Sequence, residues 1–265
     1  MSLISKAVRA AADRGSPALI AYITAGFPTK AGFLKQLDAI SAVADVIEVG
    51  VPFSDPMADG TTIQRSSRVA LEQGVSLRWI LEQLASQKNA ASSAGKPESA
   101  APLLLMSYLN PLLSYGLEKL PTDAARAGVS GFIVPDLPYE ECADLRSALN
   151  EMDVALVQFV TPVTPLERMQ MLCKASQGFI YAVTMTGTTG KNVATPQETL
   201  DYFDQVRKVS PVPVCAGFGI RSREQVRKLT GHVDGVIVGS ALVEVIERGE
   251  DPAAWLAALR GAPGG

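Results

Sequence analysis

Histidine is almost missing from this chain: His232 is the only one in 265 residues. Its three cysteines, Cys142, Cys173 and Cys215, are widely spaced and odd in number. These four side chains make no metal-ligand spacing, which excludes a zinc centre. That one histidine reads as lying in a helix-to-strand loop, away from the expected chemistry, so no Ser-His-Asp or Cys-His nucleophilic set can be assembled on it. An odd, scattered set of cysteines suits a reducing compartment and not a disulfide scaffold, so a cytoplasmic location is expected. There is no excess of positive charge. The formal net charge is −3 and the pI is near 5.3, which argues against a nucleic-acid or anionic-membrane surface. No apolar run approaches the roughly 18–20 residues of a membrane span, and residues 1–6 carry no leader-like apolar core. The expectation is a soluble, unprocessed chain. Finally, no lysine stands in the middle of an apolar strand run, which disfavours Schiff-base chemistry.

What remains is a chain 47% hydrophobic and 19% charged, enough for one large core. Eight short apolar runs recur along it, at residues 18–24, 46–51, 102–108, 131–136, 155–161, 178–184, 213–219 and 234–240, and a helical pattern follows each. Eight such units in about 250 residues are the mark of a (β/α)8 TIM barrel, an α/β fold. A doubly wound open sheet is the rival, but the turn at Gly26 is not a dinucleotide fingerprint. The predicted architecture is one domain over residues 1–265, with the barrel proper over 18–247 and an extra N-terminal helix over 6–14. Residues 88–101 are linker-like in composition and are read as a solvated loop, because the same alternation resumes after them.

Barrels gather their active sites at the carboxyl ends of the strands. Glu48, Asp59, Tyr108, Asp136, Tyr181, Gly217, Phe218, Gly219, Gly239 and Ser240 all fall at or just after such ends. Glu48 interrupts the β-branched run 46–51. Burying a carboxylate there without a partner costs several kcal/mol or leaves it protonated. Asp59 arrives on the turn-rich segment after that run, so two carboxyls can converge on one small molecule, as general acid–base chemistry requires. Each has a plainer reading, Glu48 as a buried ion-pair partner and Asp59 as a helix N-cap. His232, in a helix-to-strand loop on the far side, reads as structural.

The glycines suggest an anion site. Gly217-Phe-Gly-Ile220 and Gly239-Ser-Ala241 are each expected to open a helix, and helix N-termini attract phosphate. Gly-Phe-Gly alone could be only a turn. Paired with Gly-Ser one unit later, it favours phosphate. Residues 184–194 form a Thr- and Gly-rich loop that suits a lid, with Gly190 offering a further N–H; an ordinary flexible loop is the other reading. Tyr22, Tyr108, Tyr181 and Phe218 could line an aromatic-sized pocket, although each alone is more often core packing.

Taken together, the segment Glu48-Val-Gly-Val-Pro-Phe-Ser-Asp-Pro-Met-Ala-Asp-Gly60, the segment Val134-Pro-Asp-Leu-Pro138, Thr188-Thr-Gly190, Gly217-Phe-Gly-Ile220 and Gly239-Ser240 closely resemble the α subunit family of tryptophan synthase, in order over nearly the whole chain. The resemblance implies retro-aldol cleavage of indole-3-glycerol phosphate to indole and glyceraldehyde 3-phosphate. By this resemblance Glu48 moves the proton to indole C3 and deprotonates the glycerol hydroxyl, while Asp59 holds the indole N–H. Tyr181 and Phe218 flank the indole, and Gly190, Gly219, Gly239 and Ser240 hold the phosphate. It further implies a β-subunit partner in an α2β2 complex, with Asp55 on the facing loop, and no cofactor in this chain, pyridoxal phosphate belonging to the partner alone. Thr61 stands where the family usually has proline, Phe27 where aspartate is common, Tyr139 where a second proline is frequent, and Met185-Thr186 is an unusual lid sequence. Two further readings stay open: a stand-alone lyase releasing indole, and a barrel that activates a partner without catalysis.

Overall fold

The computed structural model describes residues 1–93, 101–184, 197–217 and 219–260, without the side chain of Ala91. Eight strands, β1 (Ala18–Thr24), β2 (Val46–Gly50), β3 (Leu103–Met106), β4 (Val129–Ile133), β5 (Ala155–Val160), β6 (Ile180–Val183), β7 (Val214–Gly217) and β8 (Gly235–Val238), close in chain order into one barrel. All eight neighbouring pairs are parallel, including β8 to β1. The fold class expected from the alternation of runs is the one observed.

β1 and β2 are buried at every position, as strands covered on both faces must be. Successive side chains point to opposite faces. Leu19, Ala21, Ile23, Ile47 and Val49 accordingly pack outward with the helices. Ala18, Ile20 and Val46 join Leu104, Ile133, Val157, Cys215 and Ile237 in a cluster inside the ring. Glu48 shares the parity of Val46, and Tyr181 lies against the inner cluster. Parity therefore aims both into the barrel.

The end of the barrel away from the expected chemistry is sealed. The extra helix is present, running over Leu3–Ala12 and not 6–14, because Ser2 caps it by accepting the Ser5 N–H at 3.1 Å. Its buried face, Ile4, Val8 and Ala11, joins the inner cluster, and Ser5 Oγ donates to the Gly178 carbonyl at 2.5 Å. At Gly131 a Cβ would lie 2.9 Å from Ile4 Cδ1, so glycine lets the plug seat on β4. Polar side chains pin the strand starts. Asp45 Oδ2 accepts the Leu19 N–H at 2.8 Å and Arg260 at 2.6 Å. Asp234 Oδ2 accepts the Val214 N–H at 2.7 Å, and Gln177 Oε1 the Leu156 N–H at 3.1 Å. These carboxylate and amide oxygens satisfy N–H groups that have no ladder partner at the rim.

Several boundaries differ from those predicted. The apolar run 131–136 is strand only to Ile133, because β4 begins earlier at Val129. The stretch 112–127, which the sequence pattern reads as broken helix, is indeed two helices, starting earlier than expected, Leu109–Tyr115 and Leu120–Arg126, separated at Gly116, whose φ of 108° no L side chain adopts readily. Asp136, in the loop after β4, accepts the Leu109 N–H at 2.8 Å and so caps the first of them across the barrel rim. His232 is bonded through Nδ1 to Asp204 at 2.9 Å in the loop before β8, in keeping with a structural role. No helix of the described residues is long and apolar enough to cross a membrane.

Candidate active site

Glu48 occupies the middle of β2, between Tyr22 of β1 and Leu104 of β3 in the ladder. It is 1% exposed, and its Oε2 has no hydrogen-bond partner among the described residues. Burial, followed by the nearby charge of Asp59, pushes its carboxyl from 4.5 up to about 8. No salt bridge to it forms among the described residues. The ion-pair reading of Glu48 thus fails, and its proton is retained at neutral pH for lack of anything to balance the charge.

Asp59 comes from the turn after β2. Gly60, not Asp59, is the N-cap of the helix Thr61–Glu72, and no side chain bonds to that end. The Asp59 carboxylate turns instead toward Tyr108: Oδ2 accepts the phenol O–H at 3.1 Å. The same phenol oxygen accepts the Ala58 N–H at 2.9 Å, and its ring lies 5.1 Å from that of Phe53. The Asp59 backbone is held as well, its carbonyl accepting Gln64 Nε2 at 2.8 Å. Burial raises the Asp59 carboxyl from 3.8 to about 6, against the lowering effect of the Tyr108 hydrogen bond. Burial of both carboxyls, with the Asp59 charge raising Glu48 further, leaves Glu48 protonated and Asp59 ionised near pH 7.

Tyr181 on β6 packs against Phe159 with ring centroids 4.9 Å apart. A Cβ at Gly217 would collide with its ring, so this glycine makes the room Tyr181 occupies. Burial and the charges of Glu48 and Asp59 raise its phenol well above the usual range, so all three lie within electrostatic reach of one another. Tyr22 joins them: Gly50 and Gly239 both border it, and its hydroxyl starts a buried chain through Thr24 Oγ1 (3.4 Å) to Ser66 Oγ (2.7 Å). Thr24 and Ser66 were not among the predicted site residues. The signal for Thr24 was present, a hydroxyl ending a fully buried strand.

The glycine loops differ from expectation in one respect. The loop after β7 does not open a helix at Gly217–Ile220. That helix begins at Arg223, and Ser222 with Gln225 forms a complete capping box that consumes its first N–H groups. The helix Ser240–Glu247 starts directly at the expected place, and its N-cap, Gly239, leaves that end without a side-chain cap. Gly219 has φ of +60° and open space where a Cβ would point. Phe218, Gly190 and residues 185–194 of the expected lid lie outside the described residues. Asp55 is exposed on the turn after β2, with Ser54 Oγ donating to its carboxylate at 2.5 Å, and its neighbour Met57 is 90% exposed. Among the described residues no group of His, Cys, Asp and Glu could hold a metal ion.

Glu48, on β2, and Asp59, on the turn after it, lie close enough for the Asp59 charge to help raise the Glu48 carboxyl. The family model described as tryptophan synthase alpha chain matches residues 8–260. The chain belongs to the tryptophan synthase alpha chain family. It is 44% identical to the tryptophan synthase alpha chain of Nitratidesulfovibrio vulgaris over 258 residues, covering 97% of each chain. It is 40% identical to that of Bacillus cereus over 244 residues, covering 91% of this chain and 90% of the relative. Among solved structures it resembles Mycobacterium tuberculosis tryptophan synthase with a TM-score of 0.85 at 34% identity, covering 97% of this chain and 95% of that one. The Legionella pneumophila tryptophan synthase alpha subunit gives 0.83 at 31% identity, with 98% and 96% covered. Membership in the tryptophan synthase alpha family brings with it a lyase-type function in tryptophan biosynthesis. The stand-alone lyase and the non-catalytic barrel are not favoured by these relatives.

Proposed function

We propose that this chain cleaves indole-3-glycerol phosphate to indole and glyceraldehyde 3-phosphate, with Glu48 and Asp59 as the catalytic pair. The observation that carries the reading is the buried, unpartnered Glu48 carboxyl, held protonated beside an ionised Asp59. Protonated Glu48 gives its proton to indole C3, and the ring becomes a cation that can leave. Ionised Asp59 accepts the indole N–H hydrogen bond and stabilises that charge. The Glu48 carboxylate just formed then removes the proton of the glycerol hydroxyl adjacent to the ring. The O–H electrons form the aldehyde C=O, the carbon–carbon bond breaks, and its pair returns to the ring as neutral indole. Glu48 ends as it began. Each properly placed acid or base contributes about 10²–10⁴ in rate.

Tyr22, Tyr108, Tyr181 and Phe218 line the indole pocket, Tyr108 also fixing Asp59. Gly219, Gly239, Ser240 and Gly190 bind the phosphate. The uncapped helix end at Gly239 supports this, because its free N–H groups favour an anion. In the same reading the chain works in the cytoplasm, needs no cofactor of its own, and joins a tryptophan synthase β subunit in an α2β2 complex through the exposed turn bearing Asp55. Pyridoxal phosphate belongs to that partner. The purified chain, assayed for indole release with and without added β subunit, tests this. Release should be slow alone and rise on addition. Full activity alone would leave a stand-alone lyase, and none in either case would reject the reaction.

A further inference from the structure

Glu244 lies one turn into the helix Ser240–Glu247 and binds two elements at once. Its carboxylate is held by both guanidinium nitrogens of Arg221, Oε2 to Nη1 at 2.7 Å and Oε1 to Nη2 at 3.0 Å. Oε1 also accepts the Thr62 hydroxyl at 3.2 Å. Arg221 stands two residues after Gly219, on the loop that carries this glycine. Thr62 is buried in the first turn of the helix Thr61–Glu72. That turn grips Asp59 directly, since Gln64 Nε2 bonds the Asp59 carbonyl at 2.8 Å and the Gln64 N–H bonds the Gly60 carbonyl at 3.0 Å. One turn further along both helices a second rung, Arg65 to Glu247 at 2.6 and 2.8 Å, fixes their relative register. The second rung is exposed and does not reach either glycine loop.

We propose that Glu244 is a positioning residue that joins the loops on the phosphate side, at Gly219 and at Ser240, to the turn that carries Asp59. The inference rests on the phosphate-site reading above. Anion binding at the uncapped end of Ser240–Glu247 orders that helix and the Arg221 loop, and the Glu244–Thr62 hydrogen bond passes the order to the Asp59 turn. The phosphate, remote from the bond that breaks, thus helps place the carboxylate that stabilises the cation.

Hydrogen exchange in the segment 58–63, measured with and without inorganic phosphate, reads this coupling without any catalytic turnover. In the wild type, phosphate should slow exchange there. Thr62→Val keeps shape but deletes the donor. It should bind phosphate within about twofold of wild type, lose the phosphate-induced protection, and drop kcat about fivefold, the scale of one ordinary hydrogen bond. Glu244→Gln keeps an acceptor for Thr62 but loses the charge on Arg221, so it should weaken phosphate binding and raise KM about three- to tenfold. Glu247→Gln weakens only the outer rung, by removing its charge, and should leave protection and KM unchanged. Protection intact in Thr62→Val, or lost equally in Glu247→Gln, overturns the inference alone. Failure of wild-type protein to bind phosphate overturns the phosphate-site reading and this inference together.

Discussion

Glu48→Gln is expected to cut indole release by about 10⁴-fold, because a single side chain is asked both to protonate C3 and to deprotonate the hydroxyl. An amide does neither. The variant should still bind inorganic phosphate as the wild type does, since Glu48 lies on β2 and the loops proposed to bind phosphate follow β7 and β8. It should also be the more stable protein at alkaline pH. The sign follows from the linkage. Glu48 rises from 4.5 unfolded to about 8 folded, so the folded state holds the extra proton between these values. Its contribution is whole below about pH 4.5 and is lost as pH rises through about 8. The loss is on the order of 5 kcal/mol for a carboxyl this deeply buried. An uncharged amide at this position carries no such penalty, and urea midpoints of the two proteins should diverge between pH 5 and pH 9. Parallel midpoints would show that Glu48 is not held protonated by the fold, and an active variant would remove it from the chemistry.

Asp59→Asn should cost about 10²-fold in kcat through a different route. Asparagine retains an oxygen for the Tyr108 hydroxyl, so the turn stays in place, but it has no charge to set against the indole cation. A second consequence separates this from general damage. The Asp59 charge, after burial, helps hold the Glu48 carboxyl high. Removing that charge should lower the Glu48 titration and move the alkaline limb of the residual activity to lower pH. A variant with unchanged kcat, or with the limb fixed, would show that the two carboxyls do not share a site.

The barrel was legible because its strands are buried on both faces and follow one another at even spacing, which few other folds require. Glu48 was legible for the converse reason, a carboxyl in a run where solvent cannot reach it. Asp59 was ambiguous in sequence, where Asp-Gly-Thr-Thr reads equally as a cap. Only Tyr108, 49 residues away, decides it. The two glycine loops look alike in sequence. What distinguishes them is the Ser222–Gln225 capping box, a local signature that was readable and was overshadowed by Gly-Phe-Gly. Glu244 and Thr62 could not have been paired, because a hydrogen bond across 182 residues follows from barrel closure and leaves no periodic trace. Sequence pattern reaches as far as the faces of strands and the ends of helices. Contacts between loops of different units have to be read from the fold.

The central claim is that Glu48 enters the reaction carrying its proton. The dependence of wild-type kcat/KM on pH tests it most directly, and the alkaline limb is the informative one, because the substrate phosphate itself titrates near pH 6. The expected result is activity that holds near neutral pH and falls through about pH 8, following Glu48 as it ionises. Activity that stays level or climbs from pH 7 to pH 9 would contradict it, since the group that starts the cleavage would then be working without the proton it must give.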